Sequence, residues 1–251
     1  MISISVRYFG PSADAAGREQ EERSLPAGST LAALSEAIYG EYPGLRKAAR
    51  SIRFAVNQEY ASEDVALSDG DEVAVIPPVA GGAPGGADTP VPDSASGDPV
   101  HVALQEAPID PAALERLVAS HEAGAIATFL GTVRAEHGGP GGDASGKGDA
   151  DDQLLALEYT AYGEMALKKM RAICEAARVK HDLIAVAAVH RTGRLALGEA
   201  SIAVAVSSGH RAEAFAGCRY VIDTLKVEVP IWKKEHWSSG ETSWVDPTAQ
   251  E

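Results

Sequence analysis

The sequence predicts an α+β chain of two domains with a flexible linker between them. Three observations predict it. Residues 1–82 alternate short strand and helix patterns and close on paired glycines, Gly81 and Gly82. Residues 83–100 are rich in Pro, Gly, Ala, Ser and Asp. They lack the apolar side chains that offset the entropy of ordering. From residue 101 the strand and helix patterns resume, over a length sufficient for a second core.

In the first domain Ile2, Ile4, Val6 and Tyr8 alternate with Ser3, Ser5 and Arg7, the period-two signature of a half-buried strand. A second strand covers residues 20–25, and Pro26-Ala-Gly-Ser29 turns the chain. A helix starts near Ser29 or Thr30, either of which can cap its free N–H groups. Leu31, Leu34 and Ile38 follow helical spacing, and Gly40 reads as the stop. Strands at 52–56 and 72–76 follow, with Ser68-Asp-Gly70 as the turn between them. The order is β-β-α-β-β.

In the second domain Asp110 caps a helix with Pro111 in its first turn. Leu114, Leu117 and Val118 read as its apolar face. A strand covers 125–133 and ends at Arg134. Residues 137–152 form a Gly/Asp-rich loop, longer than most connections. A strand at 154–159 leads to a helix at 163–179, with Ala166, Met170, Ile173 and Ala177 at helical spacing. Strands at 183–190 and 200–207 precede a helix at 211–226, whose buried face reads as Phe215, Cys218, Ile222 and Leu225. Pro230 breaks the pattern before Ile231-Trp-Lys-Lys-Glu235. There is no internal repeat.

Composition excludes several classes. The 251 residues are 45% apolar, as expected of a soluble globular protein. No run reaches membrane-spanning length and no leader precedes the first strand pattern, which predicts a cytoplasmic protein with no membrane partner. The net charge is −14, from 36 acids and 22 bases, and each segment of the chain is acidic. That argues against nucleic-acid binding, so any anion site must be a local gathering of cations. Cys174 and Cys218 have no metal-ligand spacing and read as small buried hydrophobes. His121, His137, His181 and His236 show no ligand spacing either, and no metal is assigned.

Cations recur where elements end, which is where a scaffold usually presents functional groups. Arg134 follows a strand. His210 and Arg211 stand at a strand-to-helix junction, Ser207-Ser-Gly-His-Arg211. A helix N-terminus with those two side chains can bind a phosphate. The pentapeptide alone is more often an ordinary capped helix with a solvated arginine. Lys226 and Lys233 are the candidate reactive amines, since a lysine that is desolvated or crowded by cations loses its proton more readily. A lone lysine is more often a solvated surface group. Trp232, Trp237 and Trp244 read as core rather than as a substrate platform, and His190-Arg191-Thr-Gly-Arg194 as a structural turn.

With these positions located, residues 1–82 resemble the small sulfur-carrier subunit of molybdopterin synthase. The likeness rests on the element order and on the closing run Pro77-Pro-Val-Ala-Gly-Gly82. Residues 101–251 resemble the large, catalytic subunit. That likeness rests on Phe129-Leu-Gly-Thr-Val-Arg134, Leu157-Glu-Tyr159, Val189-His-Arg-Thr-Gly193, Ser207-Ser-Gly-His-Arg211 and Leu225-Lys-Val-Glu-Val-Pro-Ile-Trp-Lys-Lys-Glu235. The resemblance implies an N-terminal ubiquitin-like β-grasp domain, a linker, and a C-terminal α/β domain of the large-subunit type.

The resemblance further implies sulfur transfer from a glycine thiocarboxylate to cyclic pyranopterin monophosphate, forming the dithiolene of molybdopterin. It assigns Lys226, Lys233 and Gly82 to catalysis. It assigns Thr132, Val133, Arg134, His210, Arg211, Lys234 and Glu235 to substrate contact. No cofactor is bound permanently. The implied partners are an adenylating E1-like activating enzyme, a sulfur donor, and a second copy of the chain through the C-terminal domain. Because Ala83 follows Gly82, either a protease cuts after Gly82 and is a further partner, or the fused form is inactive in sulfur transfer. Two other readings compete. One is a non-catalytic ubiquitin-like scaffold or modifier fused to a degenerate partner domain, against which the full set of cationic positions argues. The other is a carrier for thiamin or cysteine synthesis, which leaves the second domain unexplained.

Overall fold

A computed structural model of the chain describes residues 1–79, 98–137 and 152–245. Gly82 and most of the expected linker and loop therefore lie outside the described residues. The chain divides into two compact units, the first ending at Val79.

The first unit runs β1 (Ile2–Tyr8), α1 (Pro11–Ala16), β2 (Gln20–Leu25), α2 (Leu31–Glu41), α3 (Pro43–Lys47), β3 (Arg53–Val56), β4 (Glu59–Tyr60) and β5 (Glu72–Ile76). Its sheet has the order β2-β1-β5-β3-β4, with β1 and β5 parallel at the centre. Alternation on β1 turns Ile4, Val6 and Tyr8 onto Leu31, Leu34 and Ile38 of α2. Thr30 is the N-cap, its hydroxyl accepting from the Ala33 amide at 3.4 Å. The helix does not stop at Gly40. It runs to Glu41, because Pro43 disfavours helical geometry at Tyr42, which sits at ψ 89°. β4 has no glycine turn to announce it, since Asn57 and Gln58 supply the two left-handed residues of a tight hairpin at φ 49° and 68°. On β2, Glu21 accepts from the hydroxyls of Tyr8 and Tyr42 at 2.6 and 3.0 Å and from Arg23 Nε at 2.7 Å. Burial alone would raise the Glu21 carboxyl; these three donors outweigh it and hold the group below the usual carboxylate range.

The second unit contains β6 (Val100–Gln105), α4 (Pro111–Val118), β7 (Ala125–Thr132), β8 (Leu154–Ala161), α5 (Gly163–Lys180), β9 (Leu183–Arg191), β10 (Gly193–Ala196), β11 (Ala200–Ser208), α6 (Arg211–Glu228), β12 (Ile231–Trp237) and β13 (Thr242–Trp244). One sheet has the order β6-β9-β11-β7 and the other β10-β8-β12-β13. Helices α5 and α6 cover one face of the first sheet through Met170, Ile173, Cys218, Val221 and Leu225. Leu114 and Val118 of α4 cover the other. With both faces covered, β11 is buried at every position from Ser201 to Ser208 and reads as an apolar run rather than an alternation.

Three expectations are corrected here. The linker does not extend to residue 100, because Val100 opens β6 and is buried against β9 in parallel pairing. Asp98 anchors that entry: its Oδ2 accepts from Arg171 at 2.6 Å, and its Oδ1 from the Val100 amide at 2.9 Å. Phe215 is not on the buried face of α6 but 67% exposed. The other three expected positions, Cys218, Ile222 and Leu225, are buried, together with Ala214, Gly217 and Val221. Leu117 is likewise 48% exposed, because α4 turns only Leu114 and Val118 inward. Cys174 and Cys218 are buried and free, as read. No described helix is long and apolar enough to cross a membrane.

Gly124 allows the close approach that closes this sheet. Its amide donates to Ser208 O at 3.0 Å, and a Cβ there would stand 2.2 Å from Gly209 O. Gly124→Ala should therefore destabilise the second unit by about 1–3 kcal/mol, because backbone must move. Gly40→Ala, where nothing stands within 4 Å of the new Cβ, should leave the first unit unchanged or gain about 0.5–1 kcal/mol. Urea unfolding of each variant, followed by a probe in each unit, checks the contrast.

Candidate active site

The expected site residues fall into two groups, set by how α6 lies on the sheet. β11 pairs antiparallel with β7, Ala200 opposite Thr132 and Ser208 opposite Ala125. Helix α6 then packs back over β11 and β7. Its first residues thus lie at the Ser208–Ala125 end of the sheet, and its last turn at the Ala200–Thr132 end. Lys226 is fifteen residues beyond Arg211, which is about 22 Å at 1.5 Å per residue.

At the end that holds Thr132, the structure gathers most of the candidates. Thr132 is exposed, and Arg134 is 83% exposed with its Nε donating to Glu136 Oε1 at 3.0 Å. Val133 is buried among Leu154, Leu157, Leu195 and Trp237, so its side chain is wall rather than contact surface. Lys226 is exposed in the last turn of α6, where a cation suits the helix dipole. It is not desolvated. Val229 ends the helix, and Pro230, whose carbonyl accepts from the Tyr162 amide at 3.1 Å, turns the chain into β12.

β12 pairs antiparallel with β8, placing Lys233 opposite Tyr159 and Glu235 opposite Leu157. Alternation puts Lys233, Glu235 and Trp237 on one face and Lys234 and His236 on the other. Lys233 is half-buried. Lys234 Nζ lies 4.9 Å over the Trp244 ring, and His236 Nε2 stands 2.8 Å from Glu158 Oε2. Burial raises the Glu235 carboxyl above its ordinary value; the nearby Glu136 charge adds to this, while Ser243 and Lys233 oppose it. The charges of Arg134, Glu136, Glu235 and Lys233 thus form one group at one end of the domain.

Behind them lies a buried scaffold. The Tyr159 ring meets His190 edge-on at 5.1 Å. Burial first, then the Glu136 charge, raises the Tyr159 phenol. Burial lowers His190 to about 4, and its Nδ1 lies 2.8 Å from Arg191 O. Arg191 is buried, donating from Nε to Glu106 O and from Nη1 to Glu199, both at 3.0 Å. The His190–Arg194 segment is structural, as read from the sequence, and Gly193 supplies its left-handed residue at φ 79°.

At the far end, His210 is the N-cap of α6 and caps no amide with its side chain. It and Arg211 are exposed. One chain therefore cannot bring His210 and Arg211 to the small molecule that Lys226 and Lys233 would reach. Glu136, Ser243 and Trp244 were missed as site residues by sequence reasoning. Glu136 is a single polar residue in an irregular segment and Ser243 a lone serine in a three-residue strand; Trp244 was read as core, yet its ring lies under the Lys234 ammonium.

Fold and charge placement together define a class: a carrier domain of ubiquitin-like topology fused to an α+β enzyme domain with a cation-rich end. Residues 104–228 match the MoaE protein family and residues 6–82 the ThiS family. The molybdopterin synthase catalytic subunit of Thermoplasma volcanium is 39% identical over 144 residues, which cover 57% of this chain and 96% of that protein. The subunit of the same name from Oryza sativa subsp. indica is 46% identical over 119 residues, covering 47% of this chain and 55% of the rice protein. The crystal structure of molybdopterin synthase from Staphylococcus aureus is 31% identical and covers 57% of this chain and 95% of that one, with a TM-score of 0.50. The chain belongs to the molybdopterin synthase catalytic subunit family and carries a ThiS-family sulfur-carrier domain ahead of it. It is a fused enzyme of molybdenum cofactor biosynthesis.

The buried His190 gives a pH signature. Its folded value near 4 lies below the ordinary 6.5 of the unfolded chain. The stability it contributes is complete above about pH 6.5 and is lost as pH falls towards 4, because only the unfolded chain takes the proton. His190→Gln should flatten the fall in urea midpoint across that window relative to wild type. Equal slopes would place the acid sensitivity elsewhere.

Proposed function

We propose that the chain transfers sulfur from a thiocarboxylate on Gly82 to cyclic pyranopterin monophosphate, forming the dithiolene of molybdopterin. The observation that carries this reading is the shared location of Lys233, Glu235, Glu136 and Arg134 at one end of the catalytic domain, with Lys226 in the last turn of the helix that leads into β12. Lys226 acts in proton transfer or forms a transient covalent link to substrate. Lys233 holds the incoming thiocarboxylate or the pterin. Thr132, Arg134, Lys234 and Glu235 contact substrate, and Val133 supports them from the core. No cofactor is held permanently; sulfur arrives on the carrier.

The distance along α6 sets the assembly. A phosphate held by the α6 N-terminus, Arg211 and His210 lies about 22 Å from Lys226 of the same chain. A homodimer through the C-terminal domain brings the two ends together between copies. Lys226→Ala and Arg211→Ala homodimers should each be severely impaired. Loss of one charge-assisted hydrogen bond in Arg211→Ala costs about 1.5–3 kcal/mol, or roughly 10- to 150-fold in substrate affinity. Refolded as an equimolar mixture, the two should recover about a quarter of wild-type turnover, because half the dimers carry one intact site. No recovery on mixing would mean that each chain completes its own site.

The fusion imposes a second requirement. The Gly82 carboxylate is tied in a peptide bond to Ala83, where it can be neither adenylated nor thiolated. A protease must cut after Gly82 before the activating enzyme and the sulfur donor can act. An intact-mass spectrum of protein from its own host should show a fragment of residues 1–82, part of it heavier by one oxygen-to-sulfur exchange. A chain that remains uncut and yet makes product as fast as a supplied pair of fragments 1–82 and 83–251 would overturn the requirement.

A further inference from the structure

The hairpin of β12 and β13 lies beyond residues 104–228, which the MoaE protein family matches, yet it carries Lys233, Lys234 and Glu235. β13 adds no charge of its own to that group. It adds Ser243 directly opposite Glu235 and Trp244 directly opposite Lys234. The Ser243 hydroxyl accepts from Trp237 Nε1 at 3.1 Å and stands 3.0 Å from Glu235 Oε2. Trp237 is core, packed with Val133, Leu154 and Leu157, so the indole N–H is a fixed donor. A hydroxyl has one proton to give, and with the indole filling its acceptor side that proton goes to the carboxylate. Glu235 is therefore tied by one oxygen to a rigid support.

We propose that Ser243 is a positioning residue for sulfur transfer, which holds the Glu235 carboxylate in place beside Lys233 by relaying the fixed indole of Trp237. This rests on the reading of Lys233 and Glu235 as active-site groups. The groups acting on Glu235 are Lys233 from its own strand, Glu136 after β7 and Ser243 with Trp237 from the hairpin. Arg134 acts through its bond to Glu136, and Tyr159, opposite Lys233, shares the Glu136 field. Of these, Ser243 and Trp237 hold the carboxylate by hydrogen bonds; Lys233 and Glu136 act on it through charge. Without Ser243 the carboxylate loses a donor to its charged form, so it ionises at higher pH, and it is free to leave its rotamer.

The test compares wild type, Ser243→Ala and Ser243→Thr in the full chain after cleavage, with sulfur-loaded carrier supplied. The Glu235 carboxyl is followed by 13C NMR titration, and kcat and KM for the phosphorylated pterin are measured across pH. Ser243→Ala should titrate Glu235 at higher pH than wild type. Its kcat/KM should fall about tenfold on the acid side and recover towards wild type as pH rises. Ser243→Thr, which keeps the hydroxyl, should restore both. Unchanged titration in Ser243→Ala overturns the proposal, as does a loss of rate that is equal at every pH and not rescued by threonine. If Ser243→Ala fails to fold, the wild-type and threonine titrations decide: a shift between them with the hydroxyl retained counts against the relay. A wild-type chain that makes no product would instead defeat the sulfur-transfer reading, while the NMR titration would still test the bond from Ser243 to Glu235.

Discussion

The catalytic domain depends on the burial of β11 on both faces. A strand with Ile202, Val204 and Val206 against one layer of helices and Ala203 and Ala205 against another has no solvent side on which to place a polar residue. Everything with chemistry is therefore pushed to its ends. The strand is nine residues long and α6 returns along it, so the two ends are separated by a length no side chain can span. The spacing between the start of α6 at Arg211 and the lysine at 226 follows from core packing.

The second sheet solves a different problem. β8 and β12 carry a half-polar face, and its apolar part, Leu157 and Trp237, packs with Val133 and Leu195. Val133 is thus the join between the strand that delivers Arg134 and the sheet that delivers Lys233. Its backbone is held too, the amide donating to Glu199 O at 2.9 Å and the carbonyl accepting from Gly198 at 2.7 Å. Glu199 in turn holds Arg191, so the buried arginine beneath the site and the strand end above it share one carboxylate-bearing turn. A position marked for substrate contact by resemblance turns out to be the structural junction.

Much of this architecture was legible in the sequence. The strand periods, the Thr30 and Asp110 caps and the break at Pro230 act through local geometry, and local geometry is what a sequence encodes most directly. What escaped was non-local. β6 is short and follows a polar, glycine-rich stretch; only its parallel pairing with β9 makes it a strand. On α6 only Phe215 was misplaced: Cys218, Ile222 and Leu225 are buried, but the apolarity of Phe215 was taken for burial. At the site, the motif residues were found by kind, but their grouping depends on the direction in which α6 crosses the sheet. Ser243 gave no signal at all, since a serine in a polar hairpin is unremarkable until its strand partner is known.

The pairing of Asp98 with Arg171 has a mechanical meaning. Arg171 lies in the middle of α5, and Asp98 is the first described residue of the second unit, with Pro99 O accepting from Val186 just behind it. The chain is thus clamped before the sheet edge begins. Tension on the preceding segment therefore meets this ion pair on α5 before it meets the pairing of β6 with β9. The edge strand of the catalytic domain is thus held at its start by a helix of its own domain.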